Sequence, residues 1–332
     1  MLVVMDIRPF TTDDTGVVHA VVDLLNAAQK VDAPFNHPYT VEEYVGYARH
    51  GWDGEVPETY AAWAADELVA LVEVHTSEWD NTHLAWAGTH VHPDHRRRGY
   101  GAQIVEFTKQ RSVELGRTSL GADAWDTTAG PAFLERHGLT RRSSAIKRRQ
   151  TLARVDRVAT AEMYDEAAAA AADYELARFG GRTPADLLDE VAAMSAAIND
   201  APTDDLDIED EVYAPERIAA YEAAQEARGL RLHRVVARHR GTGELAGHTV
   251  VAVEAARPWI GDQHDTSVVR THRGHRLGLL LKLEMMRLLA EREPDLATVD
   301  TWNAESNDFM IAVNERLGYQ VLGRELQFQG DL

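Results

Sequence analysis

The feature that most constrains this chain is a spacing. Glu67 in a hairpin turn, Val91 at the end of an apolar run and Arg96 in a loop recur as Glu244, Val268 and Arg273. Each pair is 177 positions apart (244 less 67, 268 less 91, 273 less 96), and Gly138 and Gly318 agree at 180 after a small indel. A constant offset across hairpin, strand, loop and helix is hard to obtain by chance, so the chain reads as an internal duplication. With 332 residues in all, each copy has the size of an ordinary domain.

Within the first copy, Val3 to Phe10 reads as a strand ending at Pro9, and Thr11 to Asp14 offers N-cap side chains for a helix with Val17, Val18, Val21, Val22, Leu24 and Leu25 on its apolar face. Thr40-Val41-Glu42-Glu43 fits a capping box for a second helix to about His50. Thr59 to Ala65 and Leu68 to Thr76 form a hairpin about Asp66-Glu67, and His83 to Val91 is the next strand. A helix from Gly101 to Leu115, a strand from Ser119 to Trp125, a short helix between Pro131 and Gly138 and a strand from Ala145 to Leu152 complete the copy. The predicted order is β-α-α-β-β-β-α-β-α-β. Tyr174 to Phe179 opens the second copy, with helices from Thr183 to about Ile198 and from Pro215 to Arg228. Six alanines at 167–172 predict a linker helix over 156–172, between domains at 1–155 and 173–332.

The composition suits a soluble globular chain: 45% apolar and 27% charged. A formal net charge of -20 argues against a general nucleic-acid binder or a partner of anionic membranes. The absence of cysteine excludes disulfides, thiolate catalysis and cysteine-ligated metal. The start, Met1 to Asp6, has no basic region and too short an apolar run for a signal peptide, and no segment approaches the roughly 20 apolar residues that span a bilayer. The expectation is a cytoplasmic protein, monomer or homodimer, with no membrane or nucleic-acid partner.

The stretch Val91-His92-Pro93-Asp94-His95-Arg96-Arg97-Arg98-Gly99-Tyr100-Gly101-Ala102 ends a strand, turns through arginines and glycine, and opens a helix. Such a loop aims backbone N–H groups and a positive helix end at one spot, where a phosphate can sit. Gly99 lets the backbone approach a pyrophosphate, and Gly101 lets the helix start without a clash. Taken alone, R-x-x-G-x-G at Arg96, Gly99 and Gly101 could equally be a solvated turn; no G-K-[S/T] follows, so it is not a Walker A loop. The echo runs through Val268, Arg270, Arg273, Gly274, His275, Arg276, Leu277, Gly278 and Leu279.

Strand order, loop position and duplication together resemble the GNAT family, the Gcn5-related N-acetyltransferases, and two fused copies look like its tandem members. The resemblance implies an α/β fold with a mixed sheet in two tandem acyl-CoA N-acyltransferase domains. It also implies acetyl-CoA, or another acyl-CoA, held by its pyrophosphate. The implied cofactor-binding residues are Val91 and Pro93 beside the pantetheine and Arg96 to Ala102 around the phosphates, then Val268, Arg270 and Arg273 to Leu279 in the second copy. Arg276 stands where the first copy has Gly99, so the first copy is expected to be the tighter site.

Many family members carry an Asn and, seven residues on, a Tyr that protonates the departing thiolate. Asn307 matches the Asn, but Asn314 stands at the Tyr position, and the first copy has Thr127 and Leu134 there. Where some relatives carry a glutamate base, this chain has Ala85 and Asp262; His83 and His264 share their faces by the two-residue period. The catalytic candidates are therefore Asp262, His264, His83 and Asn307, against the alternative that they are ordinary strand-end polar residues. Glu73 and Glu254 could recognise a cationic amine or be edge carboxylates, and the acidic loop from Asp200 to Glu211 falls where such proteins often cover the acceptor. Trp259 is a candidate for the substrate cleft. The histidines flanking the loops, His90, His92, His95, His272 and His275, do not make a metal set, so no metal is expected. The implied activity is transfer of an acetyl group to a primary amine of a small molecule by direct attack in a ternary complex. The rival is an acyl-CoA-binding protein with one or both copies catalytically degenerate.

Overall fold

A computed structural model describes residues 5–332, so Val3 and Val4 of the expected first strand lie outside the described residues. The first half runs β1 (Asp6–Pro9), α1 (Thr15–Asp32), α2 (Val41–His50), β2 (Glu58–Ala64), β3 (Glu67–Thr76), β4 (Leu84–Val91), α3 (Tyr100–Glu114), β5 (Ser119–Trp125), α4 (Gly130–Arg136) and β6 (Thr140–Thr151). The second runs α5 (Arg157–Ala170), β7 (Tyr174–Gly180), α6 (Leu188–Ser195), α7 (Pro215–Ala227), β8 (Leu230–His239), β9 (Leu245–Glu254), β10 (Ile260–Val268), α8 (Leu277–Arg292), β11 (Thr298–Ala304), α9 (Asp308–Arg316) and β12 (Tyr319–Asp331). The predicted order appears twice, around a mixed α/β architecture.

Local chemistry sets several boundaries. The Thr40 hydroxyl accepts from the Glu43 N–H at 3.1 Å while the Glu43 carboxylate accepts from the Thr40 N–H, a complete capping box that starts α2. Asp156 caps α5 by accepting from the Val158 and Ala159 N–H groups, both at 3.0 Å. The first four alanines of the run lie in α5, which ends at Ala170 rather than 172, and Met163, Tyr164 and Ala167 pack it into the core with Leu280, Leu281 and Leu283 of α8.

The contacts divide the chain into two units. The first takes the chain up to Ala145 together with Thr203–Asp210 and Gly323–Leu332; the second takes Ile146–Pro202 and Glu211–Leu322. In the first unit β1, β2, β3 and β4 form an antiparallel ladder, and β5 joins β4 in parallel. The strand that follows β5 is the end of β12, with Glu325 opposite Trp125 and Asp331 opposite Ser119. Valines of α1 and Tyr44 of α2 cover Leu71 on one face, while Ile104 of α3 and Leu134 of α4 pack on the other.

In the second unit β7, β8, β9 and β10 are antiparallel, β11 is parallel to β10, and β6 neighbours β11. The closing strand of each sheet thus comes from the other half of the sequence, in place of the expectation that 145–152 closes the first copy. An open sheet edge accepts any strand that matches its pleat and register, and the two halves offer similar ones. Among the described residues no helix is long and apolar enough to cross a membrane.

Candidate active sites

Strand β4 pairs with β5 only from Leu84 to Ala87, yet keeps its ladder with β3 through Val91. Past Ala87 the two parallel strands therefore part, leaving an opening between them. Strand β10 repeats this: it pairs with β11 only over Ile260 to Asp262 and continues to Val268. Each opening leads into one arginine-glycine loop.

In the first loop a short turn at Pro93–His95 is followed by two residues in the left-handed region, Arg97 (φ 64°) and Gly99 (φ 89°). Helix α3 starts directly after, so its first-turn N–H groups lack intrahelical partners and face outward. The second loop has the same two backbone positions with the residue types exchanged, Gly274 (φ 88°) and Arg276 (φ 56°). Each loop needs two left-handed residues, and each spends its glycine on a different one.

Arg96 and Arg273, related by the same offset, are both tied back to their own loops rather than left free. Arg96 donates through Nε to the Val91 carbonyl at 3.1 Å and through both terminal nitrogens to Asp32, at 2.8 and 2.6 Å. Arg273 does the same to the Val268 carbonyl (3.0 Å) and Asp200 (2.7 Å), and Asp200 also pairs with Arg270, whose bond is the main reason its carboxyl titrates low. These arginines pin the loop to the strand end and to the helical segment behind it. Arg97, Arg98, Gly99, Arg270, Gly274, His275 and Arg276 are exposed. Tyr100, Leu277 and Leu279 are core side chains that offer only their backbone to a ligand, and Val91 and Val268 pack partly against the same cores. Gly101 lies against the Phe133 ring, where a Cβ would come within 3.0 Å, and Gly278 is buried. Pro93 and Ala102 are half-buried beside the loop.

The face of the first unit's strands under α1 and α2 carries a group of polar side chains beside the β4–β5 opening. Glu73 lies across from Gly88 in the β3–β4 ladder, and a Cβ on Gly88 would come within 3.2 Å of its carboxyl oxygen. Burial pushes the Glu73 carboxyl up to about 7. Nearby, Tyr47 and His75 approach at 3.5 Å, and burial pushes His75 and His90 down to about 4. Trp86 lies over Gly121 and donates to Asp123 at 2.6 Å; burial raises Asp123 to about 6 against the lowering by hydrogen bonds from Trp86 and Gln327.

The second cleft is built on a break in register. Between Gln263 and Thr266 strand β10 slips by one residue against β9, so His264 and Asp265 together oppose Val250. Such a bulge re-aims side chains, and bulges recur beside active sites. Gln263 turns back to donate to Thr249 Oγ1 (3.0 Å) and the Val250 carbonyl (2.6 Å), filling the bonds the slip vacates. Tyr221 of α7 meets His264 Nδ1 at 2.5 Å, and burial, then the charge of Arg228, pushes His264 down to about 3. Burial and then Glu211 raise Asp265 to about 6, with Arg234 opposing.

Of the other sequence candidates, His83 sits just before β4, its Nε2 3.2 Å from the Asp207 carbonyl. Asp262 is exposed in the paired part of β10, in register with Asp300. Asn307 caps α9 by accepting from the Met310 N–H at 3.2 Å. Glu254 is bound by Arg257 at 2.6 and 2.9 Å, and Trp259 is exposed. Sequence patterning does not single out Asp265 or Asp123, because the pairings that place them, across from Val250 and beside Trp86, are set by strand register.

Residues 21–139 match the acetyltransferase (GNAT) family model. No curated protein matches. Among solved structures, a tandem GNAT protein from the clavulanic acid biosynthesis pathway superposes with a TM-score of 0.81 at 25% identity, covering 99% of this chain and 98% of that one. The chain thus carries a GNAT domain in its first half and is similar over its whole length to a tandem GNAT protein. A GCN5-related N-acetyltransferase from Sphaerobacter thermophilus shares the fold (TM-score 0.70, 18% identity, 98% and 95% covered), as does one from Kribbella flavida (0.51, 14%, 87% and 95%). GNAT proteins are acyltransferases that generally draw on acetyl-CoA or another acyl-CoA. The first GNAT loop is chemically suited to a pyrophosphate: exposed Arg97 and Arg98, outward helix N–H groups and no Cβ at Gly99.

Proposed function

We propose that the protein transfers the acetyl group of acetyl-CoA to a primary amine of a small molecule, by direct attack with both substrates bound. Residues Arg96 to Ala102 hold the pyrophosphate in the first copy, and Val91 and Pro93 border the pantetheine. Arg97, Arg98 and the backbone supply the contacts, while Arg96 fixes the loop against Asp32. Arg273 to Leu279, with Val268 and Arg270, repeat this in the second copy. The thioester supplies an activated acyl carbon. The chain's task is to bring up a neutral amine, since an ammonium has no lone pair to offer.

The observation that carries this reading is Glu73, a carboxyl raised to about 7 on the cleft face beside the parted strands. Ionised, it draws in an ammonium group and accepts one of its protons; a base with this affinity is matched to neutral pH. With no cysteine in the chain, a thioester relay through the protein is excluded. Calorimetry with acetyl-CoA and a panel of small amines, followed by CoA release, tests the function. Absence of acetyl-CoA binding would refute it.

A second reading, binding without turnover, is favoured by Leu134 and Asn314, both buried where the family's proton donor is expected. Steady CoA release with any amine removes it.

A further inference from the structure

The two clefts do not match residue for residue. At the constant offset of 177, Gly88 corresponds to Asp265 and Glu73 to Val250. Strand pairing explains the mismatch. Glu73 projects from β3 over Gly88 of β4; in the second unit the smaller Val250 occupies the β3-like strand and faces the bulge that holds Asp265. Each cleft therefore has one carboxyl at the same rung of its ladder, beside its parted strands, supplied from opposite sides of that rung. A carboxyl that had lost its use would not need a glycine opposite in one copy and a register slip in the other. Glu73 and Asp265 are half-buried, and neither receives a side-chain hydrogen bond or an ion pair among the described residues, which disfavours the charged carboxylate unless a ligand supplies the partner.

Resting on the acetyltransferase reading above, we propose that the second unit is a second acetyl-transfer centre, with Asp265 as its base and an amine that also carries a carboxylate as its acceptor. An acceptor ammonium gives one proton to Asp265. Its freed lone pair forms the C–N bond as the C–S bond breaks, and the second proton lost by nitrogen leaves with the sulfur as thiol. Asp265 then returns its proton to solvent.

The carboxylate preference comes from the neighbours. Arg234 and His248 are 5% and 2% exposed, and the Arg234 Nη1 and both His248 ring nitrogens are buried with no hydrogen-bond partner. Arg234 stands opposite Val250 and His248 opposite Val236, two rungs apart on one face of the ladder, and Arg234 acts electrostatically on both Asp265 and His248, so the Arg234 Nη1 and the single N–H of a neutral His248 share one region. Its other terminal nitrogen is held by Glu222 at 3.1 Å, which fixes the guanidinium in place. Around Glu73 the charged and polar neighbours are instead Tyr39, Tyr44 and His75, with no arginine among the groups that shift its carboxyl. The first centre accordingly takes a plain amine.

The test uses the full chain as Glu73→Gln, Asp265→Asn and the double variant, with thermal melts to verify folding. Acceptors are paired: amino acids against the same amines lacking the carboxylate. Glu73→Gln should keep turnover on amino acids and lose it on plain amines by about 10²–10⁴-fold, the usual contribution of a general base. Asp265→Asn should show the reverse. Should Asp265→Asn be folded and match wild type on every acceptor while Glu73→Gln loses all turnover, the second centre is refuted and the acetyltransferase reading stands. No turnover by wild type on any acceptor sinks both. If Asp265→Asn does not fold, Arg234→Lys is used: a fall in kcat/KM confined to carboxylate-bearing acceptors supports the centre, and no selective change overturns it.

Discussion

The Lys282 ammonium donates to Asn314 Oδ1 at 2.7 Å, and both residues are buried. Asn314 passes the polarity on, donating to Asn303 Oδ1 at 2.7 Å, and Lys282 also lies 4.8 Å over the Tyr319 ring. The corresponding residues of the first half are Val105, Ala124, Leu134 and Leu139, an apolar set. One copy has therefore kept a hydrophobic seam where the other has built a hydrogen-bonded one around a lysine that lacks a carboxylate.

Burial pushes Lys282 down to about 7 from an ordinary value near 10.5. Between those two values the unfolded chain binds the proton and the folded chain does not, so this residue makes stability rise with pH across that window. Lys282→Met should abolish that rise in urea titrations compared at pH 7 and 9.5. At pH 9.5 it should also cost about 1–3 kcal/mol, because Asn314 loses a buried partner. Lys282→Met combined with Asn314→Leu restores the first copy's chemistry and should recover most of the loss. Equal or greater destabilisation in the double variant would contradict this account.

The Arg96–Asp32 and Arg273–Asp200 clasps predict an intolerance of lysine. A lysine retains the charge but cannot bond a carboxylate in two places and the strand-end carbonyl at once. Arg96→Lys should lower stability by about 1.5–3 kcal/mol, the range for hydrogen bonds to charged groups, and weaken acetyl-CoA binding in the first copy. Denaturant unfolding and calorimetry read the two effects, and an unchanged binding constant would show that the loop does not depend on the clasp.

Much of this architecture is legible in the sequence because local chemistry dictates it. Thr40 with Glu43, Asp156, the hairpin about Asp66 and the repeat offset each signal their element directly. What was not legible depends on pairing. The role of Arg96 rests on Asp32, 64 residues away, which no local pattern reveals. Asp265 is hidden because a register slip breaks the two-residue period that assigns faces, and because its partner by offset is a glycine. The exchange of closing strands is equally invisible, since β6 and β12 present similar edges. Lys282 reads as the polar side of a helix whose first turns, Leu277 to Met285, turn out to be buried all round.

Glu73 predicts a pH dependence of opposite sign to that of Lys282. Its carboxyl titrates near 7 when folded and near 4.5 when unfolded, so between these values the folded chain holds the extra proton. Its contribution to stability is full below pH 4.5 and is lost as pH rises through 7. Glu73→Gln should match wild type near pH 4 and be more stable at pH 8. For plain amines kcat/KM should rise through an apparent pKa near 7 in wild type, and that limb should be missing in the variant. A persistent limb near 7 would place the titrating base elsewhere.

The exchange of residue types between Arg97/Gly99 and Gly274/Arg276 sets up the most direct comparison of the loops. A left-handed residue with a Cβ costs roughly 1–2 kcal/mol, and the Arg276–Glu166 pair at 3.0 Å, half-exposed on both sides, returns at most about 1 kcal/mol. Arg276→Gly should therefore be neutral or stabilising, whereas Gly99→Arg should destabilise by about 1 kcal/mol. Binding should change the other way round the pair: Gly99→Arg brings a side chain to the position where the backbone meets the phosphate and should weaken acetyl-CoA at the first site at least tenfold, while Arg276→Gly should tighten the second. Two-site calorimetry on the two variants separates the steps. If the weaker isotherm, rather than the tighter, responds to Gly99→Arg, the first loop is not the stronger cofactor site and the ranking of the two copies reverses.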